Sequence, residues 1–382
     1  MELSGRERRA AASGPGRDVD VVVVGAGQAG LSAAYFLRRS GLGFVVLDAD
    51  DAPGGAWRHR WPTLLMESVH GVHDLPGMAF QPGDPKRPAR AAVPEYFAAY
   101  ERAMDLPVVR PVRVAEVRSR DDGWLVVATD AGTWTTRALV NASGTWRRPF
   151  VPFYPGAAEF RGRQLHTVDY RGGEEFRGQH VVVVGGGTSA IHFLAEIAAA
   201  GGTTTWVTRR PPKFTEEPFT PEIGREIVAQ VADRVSRGLP PQSVVGATGL
   251  PPTEAVRAAR ERGVLRRLPM FDRLTPDGVA WDTADGPRTV KADAVVWATG
   301  FRAALDHLAP LGLREPGGGI RMDGTRVAAD PRIHLVGYGP SASTVGANRA
   351  GRTAVREIVR LLAAEDADAG RAVFSPRAGA AA

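Results

Sequence analysis

The residues of this chain best placed to do chemistry begin with glycines. Gly25, Gly27 and Gly30 are spaced Gly-x-Gly-x-x-Gly behind the run Val21–Val24, and a helical pattern, Leu31 to Arg39, follows them and stops at Gly41. Gly25 permits a tight turn, Gly27 lets a pyrophosphate approach the backbone, and Gly30 lets the helix pack closely on the strand. Gln28 and Ala29 fall at the helix start, where free N–H groups and the positive dipole end face a phosphate. A second strand, Phe44–Leu47, delivers Asp48, at the distance where an acid accepts hydrogen bonds from a ribose 2′-OH. The pattern recurs behind Val181–Val184 as Gly185, Gly187 and Ala190, with Thr188 and Ser189 opening the helix and alanine in the third glycine place. Here the strand Thr203–Thr208 runs into Arg209 and Arg210. An acid would repel a 2′-phosphate, whereas arginine pairs with it bidentately, so the second site should prefer NADP(H). Plain turns and solvated arginines are the bland alternatives, and the matched strand–turn–helix context outweighs them.

Other candidates are weaker. Gly54-Gly55-Ala56-Trp57 suits a loop passing a bound cofactor, although a surface loop with one anchoring tryptophan reads the same way. The irregular stretch 58–81 is rich in His, Trp and Pro, and carries Trp61, Glu67, Ser68, His70 and His73. Ala142-Ser143-Gly144 and Ala298-Thr299-Gly300 each end a buried strand in small residues, which fits backbone crossing beside a cofactor or between domains. Asn348 and Arg349 precede the last helix as cap or phosphate contacts. His166, taken alone, is a packed or surface histidine more often than a catalyst. No paired carboxylates, metal cluster or nucleophile triad stands out. With no cysteine, the chain carries no disulfide, thiolate metal site or Cys-x-x-Cys redox pair.

The elements that position these residues fit an α/β fold of two dinucleotide-binding (Rossmann-like) domains, the second inserted into the first. At 382 residues, 43% hydrophobic and 24% charged, the chain has the composition of a soluble globular protein with a large core. Its net charge of +6 comes from scattered arginines rather than one basic stripe, which argues against nucleic acid. No apolar run approaches a membrane span, and the start holds no export signal, so the expected compartment is the cytoplasm. Residues 1–18 and 366–382 read as disordered. Residues 19–150 and 291–365 read as one domain and 151–290 as the other, with prolines 149, 152 and 155 marking the boundary. In the first domain a helix spans 94–104, a hairpin joins strands 112–117 and 124–129, and separate strands follow at 133–136 and from 138. In the second, helices at 222–237 and 253–263 form an insertion, and short strands lie near 279–281 and 289–291. A strand from Arg332 and a helix, 349–363, return the chain to the first domain.

Taken together, the motifs resemble the class B flavin monooxygenases, the flavin-containing and Baeyer–Villiger monooxygenase group. The resemblance covers Asp20 to about Glu365 and is most specific at Phe160-Arg161-Gly162-Arg163-Gln164-Leu165-His166-Thr167-Val168-Asp169-Tyr170, similar to that group's signature Phe-x-Gly-x-x-x-His-x-x-x-(aromatic). It implies FAD in the first unit and NADPH in the second, with hydride passing to the flavin and O2 forming a C4a-(hydro)peroxyflavin that oxygenates a small molecule. It implies cofactor contacts from Gly25, Gly27, Gln28, Ala29, Gly30, Asp48, Gly55, Ala56, Trp57, Trp61, Val114, Ser143, Gly144 and Gly337. In the second unit it implies Gly185, Gly187, Thr188, Ser189, Ala190, Arg209, Arg210, Ala298, Thr299 and Gly300. His70, His166 and Asn348 stand as catalytic candidates, His166 by coupling domain movement to turnover. The loop asparagine that many heteroatom-oxidising members carry near the flavin is missing from 66–70, which leaves either Ser68, His70 or His73 as its substitute or a less stable intermediate. The signature ends in Tyr170, which favours N- or S-oxygenation over Baeyer–Villiger insertion. A flavoprotein reductase or oxidase without oxygen insertion is the alternative. Oligomeric state stays open, a homodimer included.

Overall fold

A computed structural model describes residues 16, 18–69, 71–215, 221–242, 249–250 and 252–374. His70 and most of the leading segment 1–18 lie outside them. The chain opens with β1 (Asp18–Val24), α1 (Gln28–Ser40) and β2 (Phe44–Leu47). Val21, Val22 and Val23 have no exposed surface, as a strand covered on both faces demands. Gly41, left-handed at φ 83°, caps α1. Next come α2 (Ala89–Ala103), β3 (Val108–Val109), β4 (Val114–Ser119), β5 (Leu125–Thr129) and β6 (Gly132–Asn141). The helix expected from Pro94 starts five residues earlier, with Pro94 inside it. The two strands expected at 133–136 and from 138 are one. Its first half pairs with β5 and its second half is sealed beside β1, which breaks the burial pattern without breaking the strand.

The second unit holds β7 (Arg163–His166), β8 (His180–Val184), α3 (Thr188–Ala199), β9 (Thr203–Thr208), α4 (Pro221–Ser236), α5 (Glu254–Glu261), β10 (Arg267–Pro269), β11 (Arg273–Thr275), β12 (Gly278–Thr283), β13 (Gly286–Lys291) and β14 (Ala294–Trp297). After it come β15 (Met322–Asp323), β16 (Arg326–Val327), β17 (Asp330–Leu335) and α6 (Thr344–Phe374).

Among the described residues these strands form three sheets. The first runs β15-β16-β17-β6-β1-β2-β3, with β5 and β4 joined to β6. The second, β10-β9-β8-β14-β7, is parallel throughout. The third, β11-β12-β13, is antiparallel and packs Phe271 and Trp281 onto the second sheet's Val182, Val295 and Trp297. Helices α1 and α6 cover one face of the first sheet through Leu31, Leu37, Ala354 and Ile358. Helix α3 covers the second sheet through Ile191, Phe193 and Leu194.

Three departures from the sequence reading bear on the site. Strand β14, placed by sequence in the returning piece 291–365, pairs with β7 and β8 in the second sheet. Helix α4, read as part of an insertion in the second domain, ends with Val235 buried in the first unit's core beside Leu305 and Tyr338. Helix α6 continues past Asp366, where a disordered tail was expected, and Arg137 holds both Glu365 and Asp366.

Candidate functional site between two glycine turns

Each unit puts a glycine turn at the carboxyl end of a buried parallel strand, β1 in the first and β8 in the second. A Cβ on Gly25 would sit 2.6 Å from the Ala142 carbonyl oxygen, and one on Gly30 only 1.8 Å from that of Gly25. Strand β6, the turn and α1 therefore cross at backbone contact. In the second unit a Cβ on Gly185 would lie 2.2 Å from the Ala298 carbonyl oxygen, while Ala190 fits fully buried where Gly30 stands in the first. Gly27 and Gly187 differ in kind. They are the N-caps of α1 and α3, no side chain caps either helix, and nothing lies within 4 Å of a Cβ built on either. Two helix N-termini thus present uncapped N–H groups to open space, as a diphosphate requires. The residues present fit two dinucleotides on this ground. Gly55 supports the first turn, since its Cβ would approach Gly27 Cα at 2.9 Å.

Asp48 follows β2 as expected and is 6% exposed. Burial raises its pKa; Arg110, at 3.2 Å, and the Ala26 N–H oppose that without overcoming it. The guanidinium's better geometry goes to Glu101, which takes two hydrogen bonds at 2.6 and 2.7 Å. In the second unit the strand register corrects the sequence reading by one residue. Val24 pairs with Leu47 and Val184 with Val207, so Thr208 occupies the place of Asp48. Thr208 accepts a hydrogen bond from Arg267 Nε at 2.7 Å. Arg267, on the neighbouring strand, does for Thr208 what Arg110 does for Asp48, and no sequence motif marked it. Arg209 and Arg210 come next, both exposed, and no ion pair reaches them among the described residues.

The remaining candidates divide. Gln28 Nε2 donates to Asn348 Oδ1 at 3.1 Å, and Asn348 Nδ2 donates to the Asp74 carbonyl at 2.6 Å. Asn348 lies within the first turns of α6 and ties that helix to the fingerprint helix and to the loop before Leu75. Gln28 Oε1 is buried without a partner. Gly337, φ 70°, lets the end of the last strand pass Ala29 at 3.3 Å from a built Cβ. Val114 packs on the cluster holding Val45 and Leu47. Trp57 lies half-buried between the two cores, and Ala56 is exposed. Trp61 does not face a nucleotide groove: it is 3% exposed and packs against Phe193 and Tyr170, ring centroids 5.1 and 6.4 Å away. Thr63 and Tyr170 both donate to Glu196, at 2.8 and 3.0 Å, and bind this loop to α3. Ser68 is half-buried, and Glu67 and His73 are exposed.

His166 ends β7 and is 4% exposed. Its Nε2 donates to the Gly300 carbonyl at 3.0 Å, and its Nδ1 accepts from the Val168 N–H at 3.4 Å. Burial lowers its pKa, so the ring is neutral with both nitrogens engaged. It is a buried strut rather than a free base. The segment it holds is one of two strands joining the units. Phe150 N donates to the Gly300 carbonyl, Arg302 N to that of Arg148, and Thr299 Oγ1 to that of Phe150. Ser143 Oγ donates to the Ala304 carbonyl at 2.7 Å. The two small-residue triplets thus fasten the outgoing and returning connections into one antiparallel hinge.

Two uncapped glycine turns, each on its own parallel sheet and joined by such a hinge, define a two-dinucleotide oxidoreductase. Residues 22–238 match the pyridine nucleotide-disulphide oxidoreductase family. A flavin-containing monooxygenase from Stenotrophomonas maltophilia is 39% identical, with a TM-score of 0.78 over 91% of this chain and 99% of that one. An uncharacterized CzcO-like oxidoreductase from Geobacillus kaustophilus is 29% identical over 47% of this chain and 51% of its own. Indole-3-pyruvate monooxygenase YUCCA1 from Oryza sativa subsp. japonica is 31% identical over 49% and 47%. The chain spans about half the length of the curated relatives it matches. It belongs to the pyridine nucleotide-disulphide oxidoreductase family and, within it, to the class B flavin monooxygenases. No helix among the described residues is long and apolar enough to cross a membrane, and no group of side chains there could hold a metal ion.

Proposed function

We propose that this enzyme uses NADPH and O2 to oxygenate a small molecule at nitrogen or sulfur, in the cytoplasm. It is a flavin-dependent monooxygenase with FAD and NADP as its cofactors. The observation that carries the assignment of sites is the pair of open turns at Gly27 and Gly187. When bound, FAD supplies the redox and oxygen chemistry and NADPH the hydride. The α1 N-terminus would hold the FAD pyrophosphate, with Asp48 toward its ribose. The α3 N-terminus would hold that of NADPH, with Arg209 and Arg210 toward the 2′-phosphate. Asn348 and Gln28 brace the start of α6, whose positive end would face negative charge on the flavin. His166 fixes Gly300 at the hinge and leaves proton transfer to other groups. The domain boundaries proposed with this reading put 151–300, strand β14 included, in the NADPH unit.

The test is turnover of an aryl methyl sulfide and of a tertiary amine under 18O2. One labelled oxygen in the sulfoxide or N-oxide per NADPH is expected. NADPH consumed with stoichiometric H2O2 and no labelled product, across both substrates and a cyclic ketone, would replace this reading with an oxidase.

A further inference from the structure

Arg60 has no anion. It follows the Gly-Gly-Ala-Trp loop, its guanidinium carbon 5.5 Å from the ring of Trp57, which packs on both cores, and 4.9 Å from that of Trp146. Trp146 in turn stacks on Phe301 at the hinge, centroids 4.9 Å apart. Nε of Arg60 is buried without a partner, and no hydrogen bond or ion pair reaches the guanidinium among the described residues. The nearby carboxylates are taken. Asp51 binds Arg58 at 2.6 Å, and Asp50 binds His59 at 2.9 Å and Arg147 at 2.5 Å. Burial alone pulls Arg60 down to about 10, from an ordinary 12.5. A desolvated, unpaired cation costs free energy that only an anion offsets. Two indoles flank the guanidinium, and its N–H groups, which carry no partner among the described residues, suit a planar, two-oxygen anion.

We propose that Arg60 binds the oxyanion of a molecule held between the two nucleotide sites, a carboxylate on the substrate or a phosphate on a nucleotide. This rests on the two-nucleotide reading above. Binding rather than turnover tests it, so that a failure of oxygenation leaves the test standing.

The FAD-loaded protein, wild type and Arg60→Gln, is titrated with phenylacetate, with neutral phenylacetamide and with NADP+, following flavin absorbance. FAD affinity is measured separately by the fluorescence released on dilution. Loss of a charge-assisted fork should weaken its anion about 10- to 100-fold. Weakening of phenylacetate alone supports the proposal and makes the anion the substrate's carboxylate. Weakening of FAD or NADP+ with the two phenyl probes unchanged supports it and makes the anion a phosphate. All four affinities within about twofold of wild type, at an unchanged melting temperature, overturn it, whether or not the wild type binds phenylacetate. If Arg60→Gln fails to fold, Arg60→Lys keeps the charge without the fork. A selective loss of one anion supports the proposal there, and unchanged affinities overturn it.

Discussion

At the residue scale, what a position is free to be depends on what its Cβ would meet. Gly30 cannot carry one beside the Gly25 carbonyl, whereas Ala190 carries one fully buried at the matching place in the second unit. The sequence therefore showed both turns, and showed which glycine had been relaxed. It did not show the register. Arg209 was read at the place of Asp48, but the strand pairing puts Thr208 there and moves the arginines to the rim. Arg209 is exposed and unpaired among the described residues, so it can serve a phosphate. Arg209→Ala should raise the Michaelis constant for NADPH about tenfold, the worth of one charge-assisted contact at an exposed site. That for NADH should move less than twofold. Initial rates with both nucleotides measure this, and equal effects would remove the 2′-phosphate role.

At the element scale, the strands that carry the turns were legible because a valine run ending in a glycine turn and a helix reads as a buried parallel strand. The elements between them were not. Strand β6 changes neighbours halfway, and α4 buries Val235 against the other unit, which no local pattern encodes. Arg60 went unnoticed because an arginine in an irregular stretch reads as solvated until its surroundings are known. The first triplet also depends on a residue outside every motif. His307, 9% exposed, donates to Asn141 Oδ1 at 2.8 Å, and Asn141 Nδ2 donates to Ser143 Oγ at 3.1 Å. Burial holds His307 at about 4 against an ordinary 6.5. The unfolded chain therefore takes up the proton first as pH falls. The stability this gives is whole above 6.5 and is lost between 6.5 and 4, roughly 3 kcal/mol in all. Urea unfolding across that window should show the decline, and His307→Gln, which can still donate to Asn141, should lessen it. An unchanged slope in the variant would mean that other groups set the acid limit, among them His334, also held near 4 by burial.

At the scale of the whole molecule, two nucleotide sites on separate sheets must be brought into working order by the hinge between them. His166 touches that hinge and neither turn. His166→Ala should slow flavin reduction by NADPH about tenfold or more, as small misplacements do. FAD content and the NADPH concentration for half-maximal reduction should stay within about twofold. Rapid mixing without oxygen separates the two effects, and a change confined to NADPH affinity would make His166 a binding residue instead.

In the proposed arrangement FAD occupies the turn at Gly27 and NADPH the turn at Gly187. Gly187 has φ −102° and empty space around a built Cβ, so leucine fits there without strain and fills the place of a pyrophosphate. The decisive measurement is anaerobic reduction of Gly187→Leu, by NADPH and by dithionite in parallel. The expected result is a folded protein with full FAD content that dithionite bleaches at once and NADPH reduces only at concentrations at least a hundredfold higher than the wild type needs, about 3 kcal/mol of lost binding. Reduction by NADPH at wild-type concentrations, or loss of FAD with NADPH binding intact, would contradict it.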